Sequence, residues 1–408
     1  MRTAWDLQAI TGPRPTGLGY AVRLLLDAYT QFGGEDGGQA EVTGLRPNDQ
    51  DAALRGVPDR LGWEQWRLPR AVAAAQAAAR SQGATSLDLL YCPALGAPLR
   101  CSVPRVAHVH DVIPLADPAQ FTGAARWYWT TLLPACWRRC AALTVSNASL
   151  VDEVAGRLGY PRERIHVVPY YALVGPPRGA AATLDAGGGN ADPRHAAAMD
   201  GLRSGDVAAE ARPGSTEPYF LTLASHEPRK NLELPIRALA ELAQRGVRHR
   251  LVCAGGITTH TSELQALAQR LDVAAQVEWP GYADREQALS LLQGATALLF
   301  VSRLEGYGMP PQEAQALGTP VVLSDIACHR AVYADSQRWS SVAPEAREVP
   351  PLVAVDDAAG LAKAMERLLD DAPWHARLSA AGQAYQQTFS PLATAQALRQ
   401  AFAAAAGG

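Results

Sequence analysis

Two short apolar runs, separated by a loop and a helix-forming segment, constrain the fold more than any other feature of this chain. The segment from Ala297 to Asp325 reads ALLFVSRLEGYGMPPQEAQALGTPVVLSD. ALLFVS and PVVLSD each have the length and composition of a strand that is buried on both faces. Between them, Pro310 or Pro311 can occupy the first helical position, and Gly318 can end the helix in left-handed backbone. This unit predicts two parallel strands of an α/β sheet joined by a helix of about two turns.

This unit places two glutamates near a predicted anion site. Glu305 lies in the loop, and Glu313 follows eight positions later in the helix. The backbone that leads from the loop into the helix comprises Gly306, Tyr307, Gly308 and Met309. Ligands bind at the carboxyl ends of parallel strands, and a helix N-terminus attracts an anion such as phosphate. We predict that both glutamates flank this anion and accept hydrogen bonds from sugar hydroxyls. The spacing is equally compatible with a solvated Glu305 and with Glu313 as an acid that complements the helix dipole.

A pair of adjacent cations forms a second candidate site. From Tyr219 the chain reads YFLTLASHEPRKNLELPIRALAEL, which predicts a strand, a polar loop and an amphipathic helix. Arg229 and Lys230 stand where that helix is expected to begin, and cations at a helix N-terminus oppose its dipole. A bound diphosphate would reverse the sign of that interaction, because Arg offers a planar fork for phosphate oxygens and Lys a point charge. The alternative is an exposed basic loop.

Together these two segments resemble family 4 of the glycosyltransferases, also called glycosyltransferase group 1, whose members retain the anomeric configuration and have the GT-B fold. The family's pattern of two glutamates separated by seven residues matches Glu305 and Glu313. Its Arg-Lys pair in an EPRKN-type loop matches Arg229 and Lys230.

The N-terminal half carries further points of resemblance. HDVIPL from His110 and TVSNAS from Thr144 are similar to segments of the mannosyltransferase-like members. TGPRPTGLGY, near the start, is similar to the family's glycine-rich loop, with Gly17 and Gly19 as the matching glycines. The likeness therefore extends over nearly the whole chain.

Four positions depart from the family pattern. Ala224 stands where members often have glycine, and Tyr170 and Tyr171 stand where an Asn-Gly pair is common. Ala331 replaces a common glutamate. These differences bear on acceptor geometry rather than on the predicted diphosphate site.

The resemblance implies an α/β protein of GT-B architecture, with two Rossmann-like domains facing across a cleft and a C-terminal helix crossing back to the first domain. We expect an acceptor-side domain at residues 1–172, a linker or disordered insert at 173–217, a nucleotide-sugar-binding domain at 218–388 and the crossover helix at 389–408. The insert is rich in Gly, Ala and Pro and lacks helical or strand periodicity. Ser390 and Pro391 are the expected N-cap and first residue of the final helix.

The resemblance also implies a function. The chain is expected to be a retaining, metal-independent hexosyltransferase that uses a nucleotide diphosphate sugar, with GDP-mannose as the first expectation and a UDP-sugar as the second. The acceptor would be a saccharide or lipid-linked oligosaccharide in polysaccharide biosynthesis. By resemblance, Arg229 and Lys230 hold the diphosphate, Glu313 holds the ribose, and Glu305 and His110 hold the donor sugar. Two alternatives remain, a sugar-nucleotide-binding protein that has lost turnover and a GT-B enzyme of another reaction type, such as a phosphorylase or epimerase.

The composition of the chain argues against nucleic acid and zinc as binding partners. A formal net charge of −3 argues against a nucleic-acid-binding protein. The six cysteines include no CxxC pair, which favours free thiols over a zinc site or disulfide framework. We expect no metal and no cofactor, and we interpret the Asp49-x-Asp51 spacing as loop.

No apolar run reaches the length of a membrane span, so we expect a cytoplasmic protein. The sequence does not specify its oligomeric state. The aromatic and basic segment from Phe121 to Arg139 is compatible with peripheral contact at the inner face of a membrane. Its alternative is an amphipathic helix whose aromatic side chains pack in the core.

Overall fold

The computed structural model describes residues 1–10, 17–47, 56–174 and 218–407. Within these ranges, backbone contacts divide the chain into two compact units. The first unit comprises residues 1–171 and 389–407, and the second comprises residues 172–174 and 218–388. Nearly all of the predicted 173–217 insert, and the whole Asp49-x-Asp51 segment, lie outside the described residues.

Each unit contains one sheet of six parallel strands. In the first unit these are β1 (Thr3–Asp6), β2 (Val42–Leu45), β3 (Leu89–Cys92), β4 (Arg105–Val109), β5 (Ala142–Val145) and β6 (Ile165–Val167), in the order β2-β1-β3-β4-β5-β6. In the second they are β7 (Tyr219–Leu223), β8 (Arg250–Ala254), β9 (Val277–Gly281), β10 (Ala297–Phe300), β11 (Val321–Ser324) and β12 (Leu352–Val353), in the order β12-β11-β10-β7-β8-β9.

Helices connect and cover both sheets. Those described in the first part of the chain are α1 (Gly17–Phe32), α2 (Val57–Leu61), α3 (Leu68–Ser81), α4 (Ile113–Ala116), α5 (Gly123–Trp127), α6 (Leu133–Trp137) and α7 (Ala148–Leu158). Those that follow are α8 (Glu233–Gln244), α9 (Thr261–Arg270), α10 (Arg285–Gly294), α11 (Met309–Leu317), α12 (Ala327–Tyr333), α13 (Ser336–Ser340), α14 (Ala358–Asp370), α15 (Ala372–Gln386) and α16 (Pro391–Ala406). Two segments are π-helical, Gly62–Arg67 and Tyr128–Leu132. Short 3₁₀ turns occupy Gln8–Ile10, Glu35–Gly37, Pro118–Gln120, Arg162–Arg164, Pro228–Lys230, Ala274–Gln276 and Pro344–Ala346.

The predicted strand, helix, strand unit of the second half is confirmed. Strands β10 and β11 pair in parallel, and α11 connects them. Gly308 precedes the helix with φ 86°, and Gly318 ends it with φ 84°, both in the left-handed region that favours glycine. Local apolar periodicity and glycine placement are sufficient to specify this unit.

The C-terminal helix belongs to the first unit. Its N-cap is Ser390, whose side chain accepts a hydrogen bond from the backbone N–H of Ala393 at 3.1 Å. Phe402 packs edge-on against Trp5, Tyr29 and Tyr91, with ring centroids 5.0 to 6.2 Å apart. The predicted GT-B fold, with two Rossmann-like α/β domains and a final helix that returns to the first, is therefore confirmed.

Glu64 and Asp6 are two of the buried carboxyl groups of the first unit. Glu64 accepts from the hydroxyl of Tyr128 at 2.9 and 2.7 Å, which joins the two π-helical segments. Asp6 accepts from the indole N–H of Trp63 at 2.9 Å and the side-chain amide of Gln8 at 2.8 Å. Burial raises the pKa of Glu64 to about 7 and that of Asp6 to about 6. Both groups therefore keep a proton to a higher pH in the folded state than in the unfolded chain.

Replacing Glu64 with glutamine is expected to reduce the pH dependence of stability. In the wild type the folded state keeps the Glu64 proton that the unfolded chain releases near pH 4.5, so stability falls as pH rises from 4.5 through about 7. This loss corresponds to roughly 3 kcal/mol, and Glu64→Gln should remove it. Urea unfolding at pH 5 and pH 8 measures the difference. Asp59→Asn, which alters an exposed acid on α2, is the control, and an unchanged pH slope in Glu64→Gln would contradict the prediction.

Candidate functional site

The candidate site of the second unit lies where the strand order reverses. Strand β7 pairs with β8 on one side and with β10 on the other. Ligands of such sheets bind at the carboxyl ends of the strands at this reversal. Arg229 follows β7 and Glu305 follows β10, and the two loops are joined by a hydrogen bond from the N–H of Arg303 to the carbonyl of Arg229 at 2.8 Å. The fold therefore brings together the two candidate sites that the sequence predicts, the cation pair after β7 and the glutamate loop after β10.

Lys230 and Glu305 form a nearly buried ion pair. The Nζ of Lys230 lies 2.6 Å from Oε1 of Glu305, and the two side chains are 12% and 8% exposed. Nη1 of Arg229 lies 3.7 Å from Oε2 of Glu305, while its Nε pairs with Glu227 at 2.8 Å. Burial opposes ionisation of Glu305, but the Lys230 ammonium and then the Arg229 guanidinium outweigh it and hold the pKa of Glu305 below its ordinary value. Glu305 is therefore an ionised acceptor at neutral pH.

Asn231 holds the cation-bearing turn in place. It has left-handed backbone with φ 58°, and its buried side-chain amide donates to the carbonyls of Val301 and Val355 at 3.0 and 2.8 Å. Since this residue interrupts helical geometry, helix α8 begins at Glu233. The expectation that the helix begins at the two cations is therefore wrong, because both lie in the preceding 3₁₀ turn.

Glu313 is paired with a residue that sequence reasoning missed. It is buried within α11, and Nη1 of Arg285 lies 2.6 Å from its Oε1. Arg285 is the first residue of α10, after the N-cap Asp284, and its Nη2 donates to the carbonyl of Leu173. Burial raises the pKa of Glu313, and Arg285 partly offsets this rise. Arg285 thus determines the orientation of the second glutamate.

The glycine-containing turn before α11 presents backbone rather than side chains. Gly308 precedes the helix and supplies no side-chain cap, and because Pro310 and Pro311 have no N–H, the backbone donors at this helix start are those of Gly308 and Met309. A Cβ on Gly308 would lie 2.9 Å from the ring of Phe300. The Tyr333 hydroxyl donates to the Gly308 carbonyl, and the thiol of Cys328 to that of Tyr307 at 3.4 Å. The contacts from Phe300, Tyr333 and Cys328 therefore hold this turn in its left-handed form.

His110 lies in the first unit, directly after β4, and both of its ring nitrogens are hydrogen-bonded. Nε2 lies 2.6 Å from the carbonyl of Pro93, and Nδ1 lies 2.9 Å from the hydroxyl of Tyr170. The Tyr170 hydroxyl also lies 2.7 Å from Nε2 of His108. Because a carbonyl only accepts, Nε2 of His110 carries its proton and Tyr170 donates to Nδ1. Burial lowers the pKa of His110 to about 4, so the ring is neutral at ordinary pH.

The departures from the family pattern have structural roles. Tyr170 bridges two histidines as just described, and the Tyr171 hydroxyl donates to the carbonyl of Leu24 in α1 at 3.3 Å. A Cβ on Gly255 would lie 1.8 Å from the carbonyl oxygen of Ala224, so the backbones after β7 and β8 approach closely. Ala331 lies in α12.

The two predicted N-terminal glycines lie in a helix. Gly17 is the first residue of α1, and Gly19 is buried in its first turn. The loop residues that precede them, 11–16, are outside the described part of the chain.

The aromatic and basic segment divides between core and surface. Tyr128 and Trp137 are buried, and Trp129 packs against the same apolar cluster. Trp127 is 49% exposed. Core packing therefore accounts for most of these aromatic rings, and the membrane contact remains a prediction.

Three further observations concern predicted properties. None of the six cysteines, all of which lie in the described ranges, forms a disulfide bond, and Cys101 alone among them is partly exposed. Across residues 1–10, 17–47, 56–174 and 218–407, no group of three or more His, Cys, Asp or Glu side chains could hold a metal ion. In the same ranges, no helix combines the length and hydropathy that crossing a membrane requires.

Two family models match the chain. The model described as Glycosyltransferase Family 4 matches residues 17–170, and the model described as Glycosyl transferases group 1 matches residues 208–385. Together they cover both units.

Individual relatives are more distant. The chain is 22% identical to the O-antigen chain mannosyltransferase RfbU of Salmonella typhimurium over 254 residues, which is 60% of this chain and 61% of that protein. It is 30% identical to the D-inositol 3-phosphate glycosyltransferase of Corynebacterium aurimucosum over 179 residues, 43% of this chain and 40% of that protein. The matches thus span about two fifths to three fifths of these relatives.

A solved structure shares the fold. The Anabaena protein Alr3699/HepE, crystallised with UDP and glucose, aligns with a TM-score of 0.63 at 15% identity, over 98% of each chain. At this identity the likeness supports the architecture alone.

Proposed function

Because the chain belongs to glycosyltransferase family 4, and is thus a glycosyltransferase of GT-B fold, we propose that it transfers a hexose, with retention, from a nucleotide diphosphate sugar to a saccharide or lipid-linked acceptor. One observation carries the proposal. Lys230, Arg229 and Glu305 meet at the strand-order reversal of the second sheet, beside the uncapped N-terminus of α11.

The diphosphate accounts for the two cations. Lys230 and Arg229 share a single buried carboxylate, with N to O distances of 2.6 and 3.7 Å. Arg229 also pairs with Glu227 at 2.8 Å, so a diphosphate bound against the two cations and the N–H groups of Gly308 and Met309 would share them with these carboxylates through charge-assisted hydrogen bonds. Because these donors are held in place before the reaction, they would stabilise the charge that develops as the glycosidic bond breaks.

The two glutamates are suited to hydroxyl groups. Glu305 is ionised and can accept hydrogen bonds from the donor sugar, and Glu313 can accept from the ribose. His110, Gly17 and Gly19 are proposed donor contacts by family resemblance; because both ring nitrogens of His110 are hydrogen-bonded to Pro93 and Tyr170, His110 would have to exchange one of these partners for a sugar hydroxyl. In this scheme the departing phosphate oxygen takes the acceptor's proton on the same face of the sugar, so no protein general base and no metal is required.

The donor is proposed as GDP-mannose. The mannosyltransferase RfbU among the relatives supports mannose, while the UDP and glucose in the HepE structure keep a UDP-sugar as the second candidate. We assign donor binding to residues 218–388 and acceptor binding to residues 1–172. A cytoplasmic location with peripheral membrane contact suits a lipid-linked acceptor.

Calorimetric titration with GDP, UDP and ADP tests the proposal. We expect one nucleoside diphosphate to bind, and Arg229→Ala to weaken that binding about tenfold or more, because a charge-assisted contact to phosphate is lost. Arg330→Ala is the matched control, since Arg330 is an exposed arginine of the same unit that pairs with Asp325. Failure of all three nucleotides to bind would overturn the proposal.

Turnover distinguishes the remaining alternative. Slow release of nucleotide from the matching sugar donor is expected of a transferase. A binding protein without turnover would bind the donor at the same site and release nothing.

A further inference from the structure

His329 is a buried imidazole that is anchored through only one of its nitrogens. Its Nδ1 lies 2.9 Å from the carbonyl of Ser324 and 3.1 Å from the Ser324 hydroxyl. That hydroxyl donates its own hydrogen to the carbonyl of Ser302 at 2.5 Å. Because both oxygens can therefore only accept from the ring, Nδ1 carries the imidazole proton and Nε2 is left as an acceptor.

The second nitrogen has no partner among the described residues. Nε2 of His329 is buried and forms no hydrogen bond there, and the whole side chain is 0% exposed. A buried acceptor without a donor costs free energy, which a ligand that donates a hydrogen bond to it would recover.

Ring contacts place His329 beside two residues that touch the Gly308 turn of the proposed donor site. Its ring centroid lies 5.5 Å from that of Phe300 and 6.2 Å from that of Tyr333. Both of these rings meet Gly308, Phe300 through close packing and Tyr333 through its hydroxyl. The Nζ of Lys230 lies 5.5 Å from the centroid of the Phe300 ring.

The charged groups that act on His329 are those of the donor site. Burial lowers the pKa of His329, while the Glu305 carboxylate acts to raise it and the Lys230 ammonium to lower it. These two groups are paired with each other at 2.6 Å.

We infer that His329 is a donor-binding residue whose Nε2 accepts a hydrogen bond from a hydroxyl of the transferred sugar. A hydroxyl fits because it can donate to a bare nitrogen, whereas phosphate oxygens only accept. The inference rests on the proposed function and adds a sugar contact that the family motifs do not include.

Two substitutions separate this contact from the diphosphate site. His329→Phe keeps a ring of similar size without a nitrogen, and His329→Asn keeps a donor near the position of Nδ1 but lacks Nε2. Each variant is titrated with GDP and UDP, and then with GDP-mannose and UDP-glucose. We expect wild-type affinity for the diphosphate that binds and about tenfold weaker binding of the sugar nucleotide, the effect of one lost hydrogen bond.

Thermal unfolding without ligand is the second measurement. His329→Phe removes the bare buried acceptor but also the Nδ1 donor to the Ser324 carbonyl, so we expect a melting temperature close to that of the wild type. A histidine with a purely structural role would instead lose stability on replacement. If the phenylalanine variant fails to fold, the asparagine variant carries the titration.

The outcomes are distinguishable from those of the proposed function. If the wild type binds a sugar nucleotide and both variants bind it equally well, the contact to His329 is overturned while the transferase proposal stands. If the wild type binds no nucleotide at all, the proposed function fails and this inference fails with it.

Discussion

Lys230→Met is expected to reduce sugar transfer by a factor of about 10²–10³, because one preorganised donor to the developing phosphate charge is lost. The same change should lower the free energy of unfolding by about 3–5 kcal/mol, since the Glu305 carboxylate is left buried without its partner at 2.6 Å. Steady-state kinetics and urea unfolding measure the two effects.

The pH dependence of this destabilisation has a definite sign. In the wild type the pKa of Glu305 lies below the ordinary 4.5, so its pairing stabilises the fold above that pH and the contribution is lost as pH falls through the folded-state pKa. In Lys230→Met the cost is therefore largest at neutral pH. It should shrink in acid, where Glu305 can take up a proton.

Two further variants separate activity from stability. Lys230→Met/Glu305→Gln should recover most of the lost stability, because no unpaired charge remains, and should stay inactive. Lys363, the chain's other lysine, is exposed on α14, so Lys363→Met is the matched control. Transfer within threefold of wild type in folded Lys230→Met would refute the assigned role.

Arg285→Leu is expected to destabilise the protein by about 3–5 kcal/mol at pH 8, because Glu313 loses the guanidinium at 2.6 Å. Burial already raises the pKa of Glu313, and removing the arginine should raise it further. A raised folded-state pKa means that stability falls as pH rises, so the cost should be small at pH 5 and full at pH 8. Urea unfolding at both pH values measures it.

Paired variants identify the cause of this loss. Arg285→Leu/Glu313→Gln should recover the stability at pH 8, since the buried carboxylate is gone. Arg377→Leu removes an arginine that is 51% exposed and paired with Glu348, and it should change stability by less than about 1 kcal/mol. Equal destabilisation of Arg285→Leu at both pH values would argue against an ionised Glu313 as the source.

The elements that the sequence predicted depend on interactions between near neighbours, whereas the features that it missed depend on contacts between residues far apart in the chain. The unit that contains β10, α11 and β11 was predictable because apolar runs, Pro310 and the two left-handed glycines act over a few neighbouring residues. The start of α8 was mispredicted because Asn231 takes left-handed backbone. In that position its side chain donates hydrogen bonds to carbonyls 70 and 124 positions away in the chain. No local pattern signals such contacts.

The sequence by itself determined the two α/β units and the order of their elements. It also determined which polar groups follow which strands, because hydrophobic periodicity and turn chemistry act between near neighbours. Only the tertiary structure decided that Lys230 pairs with Glu305 and Arg285 with Glu313, and that Tyr170 and His329 lie where they do. These pairings depend on the spatial order of the parallel strands, which brings together loops 75 positions apart in the chain. That order is set by the packing of whole helices on a sheet.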